Sequence, residues 1–259
     1  MFLVTGHNGF IAKNFIPNLY RKKIIKVKRD LKKIDQIKNN TIKIINFAAF
    51  YQKETSFKDL DKLIDANYTY PIKIIQKLIE NGNKVIFFNI CSFFQLKNNF
   101  KNKSNLYSSI KNSFKEVLKF YSKSKKFKSY DIYFYDIFGY GDKREKLFNS
   151  IVNSYKNKSI LKISNLSAEM VPVHINEVTN ILKKFIQDKK RSNEIHINHG
   201  KKIKVNEILN IAKKIYPNLK IMNKKNIKKN FKIFYKKPYK YNYNKNLNYL
   251  IESFFKKFL

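Results

Sequence analysis

The sequence predicts an α/β fold, a doubly wound parallel sheet followed by a smaller C-terminal lobe. Three observations carry that expectation. Short apolar, β-branched runs alternate with segments of helical periodicity through the first half of the chain, the order that a parallel sheet with crossover helices requires. One of these runs, Lys84 to Ile90, is almost wholly apolar, as a strand covered on both faces must be. Between the first run and the first helical segment lies a glycine turn, Thr5-Gly6-His7-Asn8-Gly9.

Taken in order, Phe2-Leu3-Val4-Thr5 reads as a strand, and Phe10 to Tyr20 as a helix with Ile11, Phe15 and Leu19 on one face. Ile24 to Lys28 and Ile42 to Phe47 read as the next strands. A helix is expected over Leu60 to Glu80, stopped by Asn81-Gly82. The strand Lys84 to Ile90 follows, then a helix Leu106 to Tyr121 whose core stripe is expected to be Leu106, Ile110, Phe114, Val117 and Tyr121. Ile132 to Ile137 supplies another strand. After Gly139-Tyr140-Gly141-Asp142 the pattern loosens. Leu147 to Tyr155, Asn176 to Gln187 and Val205 to Tyr216 read as helices, Val171-Pro172-Val173 as extended, and Glu194 to Asn198 as a strand. The polar, aromatic segment from Lys220 to Asn248 fits no single element. The expected boundary lies near residue 138, with residues 1–138 as a dinucleotide-binding domain and 139–259 as a substrate-binding part. Elements near 170–200 are expected to return to the first domain.

At 259 residues, 43% of them hydrophobic, the chain can bury a substantial core. A single cysteine, Cys91, excludes an intrachain disulfide framework and fits a reducing compartment. Neither a secretory signal nor an apolar run long enough to span a bilayer is visible, so a cytoplasmic protein without membrane insertion is expected. The formal charge of +37 raises a nucleic-acid reading. Its lysines, however, are spread from Lys13 to Lys257, and Asn and Ile are abundant too. That joint enrichment is what an AT-rich genome produces, so a nucleic-acid partner is not favoured. The same field would steer an anionic substrate.

The glycine turn sits where a dinucleotide's pyrophosphate is held, since glycines let the backbone turn sharply and come close to phosphate. Gly6, His7, Asn8, Gly9, Phe10 and Ile11 are the residues expected at the cofactor, with Ala12 where a third glycine is usual. At the end of the second strand, Lys28-Arg29 precedes Asp30. A cation there suits a 2′-phosphate, so Arg29 favours NADP(H) over NAD(H). Tyr107 and Lys111 stand four residues apart, on one face of a helix. An ammonium beneath a phenol is expected to lower the phenol's pKa towards the range of a general acid or base. Three other Tyr/Lys pairs share this spacing: Tyr121/Lys125, Tyr216/Lys220 and Tyr241/Lys245. Only Tyr107/Lys111 follows a buried strand ending in a hydroxyl, Ser92, and lies downstream of the glycine turn. His196 and His199 have no partners at metal-ligand spacing, and no metal is expected.

With these motifs the chain resembles the extended short-chain dehydrogenase/reductase family of sugar-nucleotide epimerases, dehydratases and reductases, which have a Rossmann-type sheet. The resemblance rests on Thr5-Gly6 to Gly9-Phe10-Ile11, on Asn46-Phe47-Ala48-Ala49, and on Ser92, Tyr107 and Lys111. It implies Ser92 as the substrate-polarising hydroxyl, Tyr107 as the acid/base, and Lys111 as ligand of the nicotinamide ribose that also tunes the tyrosine. Ala48 and Ala49 would line the cofactor. A homodimer is implied as well. Asn89-Ile90-Cys91-Ser92-Phe93-Phe94-Gln95, Asn105-Leu106-Tyr107 and Tyr135-Asp136-Ile137-Phe138-Gly139-Tyr140-Gly141-Asp142-Lys143-Arg144 are similar to the CDP-abequose/CDP-paratose synthase branch of 4-keto reductases. On that resemblance Phe93, Asp136 and Arg144 join Ser92 on the substrate side. Tyr140 stands where a proline is common, and the chain is short for the extended class.

Phe93-Phe94 occupy the positions of a dehydratase's acidic pair, which argues against elimination of water. Cys91 adjoins Ser92 on a strand and therefore points to the opposite face, as a buried cysteine rather than an acid/base. The expected activity is NADPH-dependent reduction of a nucleotide-linked 4-keto-deoxysugar, CDP-linked favoured, in surface-polysaccharide sugar biosynthesis. A 4-epimerase with bound NAD uses the same three residues and stays open. From another class, so does a non-catalytic dinucleotide- or RNA-binding protein on the same fold.

Overall fold

The computed structural model describes residues 1–19, 22–52, 56–96, 105–223, 235–236 and 246–259. It forms two compact units, one of residues 1–134 with 182–196, the other of 135–181 with 197–259.

A six-stranded sheet builds the first unit. Its strands β1 (Phe2–Thr5), β2 (Ile24–Lys26), β3 (Thr41–Asn46), β4 (Lys84–Ser92) and β5 (Phe127–Phe134) lie in the order β5-β4-β3-β1-β2, with Glu194–Ile197 beyond β5. The pairings of β1 with β2 and β3, of β3 with β4, and of β4 with β5 are parallel. Strand order reverses at β1, so the carboxyl ends of β1 and β3 flank the crevice where such sheets bind ligands. Leu3, Ile44, Val85 and Phe87 of the strands pack with Ile74, Leu78, Phe114 and Leu118 of the helices in one buried core. The doubly wound, Rossmann-type sheet expected from the sequence is the sheet observed.

Two prolines account for differences along the chain. The first helix runs as α1 (Phe10–Phe15) and then tightens to a 3₁₀ turn, Ile16–Leu19, where Pro17 has no N–H to continue the α pattern. The single helix expected over Leu60 to Glu80 is α3 (Phe57–Ile64) and α4 (Tyr70–Glu80), joined by a π-helical turn, Asp65–Thr69; the short helix α2 (Lys32–Asp35) precedes them. Pro71 cannot donate to the carbonyl of Asn67, and the wider turn accommodates the loss. The Asn67 amide donates to the Leu63 carbonyl at 2.9 Å and to the Phe50 carbonyl at 2.8 Å. α4 stops at Asn81-Gly82, as the sequence indicates: Gly82 has φ +75°, and Asn83 N–H closes back on Leu78 O at 3.0 Å.

β4 extends two residues beyond the expected strand, which makes Ser92 its last residue. β5 begins five residues before the expected Ile132. The early part, Lys128 to Asp131, is polar, and apolar patterning does not reveal it.

In the second unit Asp136–Phe138 pairs in parallel with Pro172–His174, Ile221–Asn223 in parallel with Leu161–Ile163, and Ile203–Lys204 antiparallel with Glu169–Met170. Its core is aromatic. Phe138 stacks on Phe148 at 4.3 Å and meets Phe254 edge-on at 5.7 Å. Tyr216 is wholly buried and donates to Phe255 O at 2.6 Å; burial, then Tyr155, pushes its phenol up to about 12. Tyr216 caps the end of helix Val205–Ile215 and Tyr121 is the last residue of its own helix, so neither shares a helix face with the lysine four residues on. Tyr241/Lys245 lies outside the described residues. No helix among the described residues is long and apolar enough to cross a membrane.

Candidate active site

The cofactor cradle is built where β1 and β3 end. Thr5 Oγ1 donates to Asn46 Oδ1 at 2.6 Å, and the Ala48 N–H donates to Thr5 Oγ1 at 3.1 Å. Gly6 turns the chain at φ +59°, and a Cβ there would stand 2.5 Å from Ala48 N and 2.6 Å from Phe47 C. No side chain fits that approach. Gly9 N–H returns to Gly6 O at 2.9 Å, and Gly9 begins α1 with no side-chain cap. Ala12 is wholly buried, filling the third glycine's place without strain. His7 Nδ1 is buried without a hydrogen-bond partner; partial burial, then Lys26, Lys28 and Lys33, pulls its imidazole below the ordinary value. Asn8 and Ala49 are exposed, while Phe10, Ile11 and Ala48 are half-buried. A glycine turn that excludes any side chain, an orphaned ring nitrogen beside it and three nearby ammoniums fit a dinucleotide with its pyrophosphate. Gly6→Ala is expected to destabilise the protein by about 2–4 kcal/mol and to abolish cofactor binding, read by urea denaturation and NADPH fluorescence.

Arg29 pairs with Asp65 and lies 4.2 Å over the Tyr70 ring, with over half of its side chain exposed. Tyr70 in turn donates to the carbonyls of Val27 and Lys28 at 3.3 Å each. The cation expected at a 2′-phosphate thus already has a carboxylate partner.

Ser92 closes β4 and caps the 3₁₀ turn Phe93–Gln95. Its Oγ accepts from Phe94 N at 3.3 Å, and its own N–H donates to Gln95 Oε1 at 2.8 Å. Gln95 Nε2 continues to Asn112 Oδ1 at 3.2 Å, tying this turn to helix Leu106–Tyr121. Asn105 caps that helix, its Oδ1 accepting from Ser108 N at 2.9 Å, and so sets Tyr107 in the first turn. The Tyr107 ring meets Tyr51 edge-on at 5.2 Å, and Tyr51 stacks on Phe94 at 6.3 Å. Phe93 lies 4.3 Å from Phe94. Lys111 Nζ is 5.8 Å from the Tyr107 ring centroid.

Two expectations are corrected here. Of the expected stripe Phe114 is buried, but the other buried residues of this helix are Tyr107, Ser108, Lys111 and Leu118, whereas Leu106 is 44% exposed. The helix is rotated so that phenol and ammonium, rather than the most apolar line, face the sheet. Nor is the Tyr107 phenol lowered. Burial, then Cys91 and Tyr51, raises it well above its ordinary value, because a low-dielectric site disfavours phenolate more than a lysine at this distance favours it. Lys111, 3% exposed, is itself pulled down by burial, with Cys91 and Asp131 acting the other way.

Cys91 is buried, and its thiol donates to Asp131 Oδ1 at 3.6 Å. Asp136 and Arg144 belong to the second unit. Asp136 Oδ2 accepts from Val171 N at 3.0 Å, and burial raises its carboxyl against the pull of Lys146 and that N–H. Arg144 forks onto Asp142 at 2.7 and 2.6 Å.

Sequence reasoning missed Tyr51, Asn67, Gln95 and the polar residues behind Lys111. One signal was present: Ser92-x-x-Gln95 has capping-box spacing. Nothing in the local pattern marks Tyr51 or Asp131.

The sequence matches the family described as "NAD dependent epimerase/dehydratase family" over residues 2–211. The fold is similar to that of a mutant UDP-glucuronic acid 4-epimerase from Bacillus cereus in complex with UDP-4-deoxy-4-fluoro-glucuronic acid and NAD (TM-score 0.77, 13% identity, 99% of this chain and 98% of that one). It is also similar to UDP-N-acetylglucosamine 4-epimerase from Methanobrevibacter ruminantium (TM-score 0.71, 16% identity, 99% and 97%). A third similar structure is RMD from Pseudomonas aeruginosa complexed with NADPH (TM-score 0.70, 13% identity, 86% and 87%). No curated protein matches the sequence. With the match spanning the glycine turn, Ser92, Tyr107 and Lys111, the chain belongs to the NAD-dependent epimerase/dehydratase family, as an enzyme of short-chain dehydrogenase/reductase type.

Proposed function

We propose that the protein is an NADPH-dependent reductase of a nucleotide-linked 4-keto-deoxysugar, with CDP-linked substrates favoured, acting in the synthesis of surface-polysaccharide sugars. The first unit would be the dinucleotide-binding part and the second the substrate-binding part. One observation carries the reading: a buried Tyr107 stands over Lys111 while Phe93 and Phe94, not an acidic pair, follow Ser92.

When bound, the nicotinamide supplies a hydride to the carbonyl carbon. Ser92 Oγ, already accepting from Phe94 N, has its own proton left to donate to the keto oxygen. Tyr107 is held protonated by burial, so it can give its proton to that oxygen as negative charge develops. The Lys111 ammonium offsets the resulting phenolate. Tyr51, edge-on to Tyr107, and Phe93 would present apolar surface beside the reacting group. Asp136 and the Arg144 guanidinium are proposed for the sugar nucleotide, the latter because a planar fork suits a diphosphate. Arg29 is proposed for the 2′-phosphate. An exposed ion pair is worth no more than about 1 kcal/mol, so a phosphate can displace Asp65 from it.

A second reading, a 4-epimerase that retains NAD, is favoured by that Arg29–Asp65 pair, which leaves the ribose edge less basic. A panel of CDP-, dTDP- and GDP-linked 4-keto sugars separates the two. Loss of NADPH absorbance with a CDP-linked 4-keto-deoxysugar, and product NMR of a new hydroxyl, are expected. Interconversion of UDP-sugars by protein carrying NAD, with no net NADPH use, would reject the reductase.

A further inference from the structure

We propose that Asp65 sets the choice between the two nicotinamide cofactors. Its carboxylate holds the Arg29 guanidinium that a 2′-phosphate would otherwise engage, and so restrains the preference for NADP(H) that the cation alone would give. The proposal rests on the dinucleotide site and on the role of Arg29 given above; it does not depend on the sugar.

The clamp on Arg29 is built by the π-helical turn. On an α-helix, residues five apart point about 140° away from each other. Between α3 and α4 the Tyr70 N–H instead donates to the Asp65 carbonyl, and this wider turn returns the two residues to one side. Asp65 Oδ2 pairs there with Arg29 Nη1, while the Tyr70 ring lies 4.2 Å from the guanidinium carbon. Tyr70 is almost wholly buried, and its hydroxyl meets the carbonyls of Val27 and Lys28 at 3.3 Å each. The ring is thereby fixed against the strand end that carries Arg29. One helical stretch thus supplies a negative edge and an aromatic face, and both suit a planar cation.

Lys26 of β2 lies opposite Val4 of β1, and the Val27 N–H donates to Val4 O at 3.0 Å. Arg29 therefore follows β2 just beyond the point where β1 enters the glycine turn. A cation in that place accommodates the 2′-phosphate, whereas an acid receives the free ribose hydroxyl. Here the cation arrives with an acid from another element already on it. The neighbouring carboxylate, Asp30, accepts from Lys32 N at 3.4 Å within its own turn. NADP(H) would compete with Asp65 for Arg29 and bring its phosphate close to a carboxylate, a like charge. NAD(H) leaves the pair intact. The two side chains are 54% and 47% exposed, so the phosphate has access and the pair is weak enough to exchange.

Fluorescence titration of the full chain with NADPH and with NADH, at low salt, reads the effect without any sugar substrate. Asp65→Asn is expected to raise NADPH affinity about fivefold, the upper strength of an exposed ion pair, and to leave NADH affinity within about twofold. Added salt should shrink the gain. Asp59→Asn removes the same charge from a carboxylate bonded to Ser56 and should leave both affinities as they are. Should Asp65→Asn fail to fold, Asp65→Ser carries the same comparison. Arg29→Leu is expected to weaken NADPH alone. If it does so while Asp65→Asn changes neither affinity, or changes both alike, the proposal is overturned and the role of Arg29 stands. If Arg29→Leu leaves both affinities unmoved, the two fall together. A gain for NADPH in an Asp65 variant of a protein that reduces no keto sugar supports the proposal and counts against the reductase reading instead.

Discussion

Tyr107→Phe is expected to lower kcat for ketone reduction by about a thousandfold while leaving NADPH affinity within about twofold of its original value. The substitution removes one oxygen. The ring keeps its edge-on contact with Tyr51, so the helix start and the Asn105 cap are undisturbed. Only the proton donor goes. Stopped-flow oxidation of NADPH and a fluorescence titration measure the two quantities, and undiminished turnover would reject Tyr107 as the acid. The pH dependence of the unmodified enzyme has a definite sign. A raised phenol pKa keeps the acid form to higher pH, so Tyr107 ionisation does not limit reduction at neutral pH. Lys111 is lowered, so its ammonium is lost first as pH rises. The alkaline limb of kcat/KM should therefore come below the ordinary lysine value and disappear in Lys111→Met.

Lys111→Met is the second large effect, and it should move activity and stability in opposite directions. Methionine has similar length and fills the same space, so burial of a charge is replaced by burial of an apolar chain. Stability to urea is expected to hold or rise. Reduction should fall by about a hundredfold or more, because the phenolate formed at Tyr107 loses its counter-charge. A variant that loses activity and stability together would indicate a structural lysine, not one serving the reaction.

How much of this was legible in the residues differs from element to element. β1, the glycine turn and β4 could be read directly, since a strand buried on both faces and a turn that excludes side chains each restrict composition strongly. Helix Leu106–Tyr121 was also legible in its ends but not in its facing. Its most apolar line runs through Leu106, yet packing buries Tyr107 and Lys111, and periodicity reads apolarity rather than a polar group with buried partners. The early half of β5 was missed for the same reason: Asp131 looks like a surface residue until Asn89, Cys91 and Lys115 surround it. Those partners come from a neighbouring strand and a helix, and no local pattern encodes them. At Arg29 the sequence could name the cation but not Asp65, thirty-six residues on, which takes up its charge.

The hydrogen bonds among Thr5, Asn46 and Ala48 have a consequence for how a dinucleotide is recognised. Because the Ala48 amide is already committed to Thr5 Oγ1, that N–H serves to hold the two strand ends together rather than to bind a ligand. Both ends are joined by side chains that are wholly or almost wholly buried, so the groove is preorganised and little loop ordering is charged against the affinity of whatever enters it.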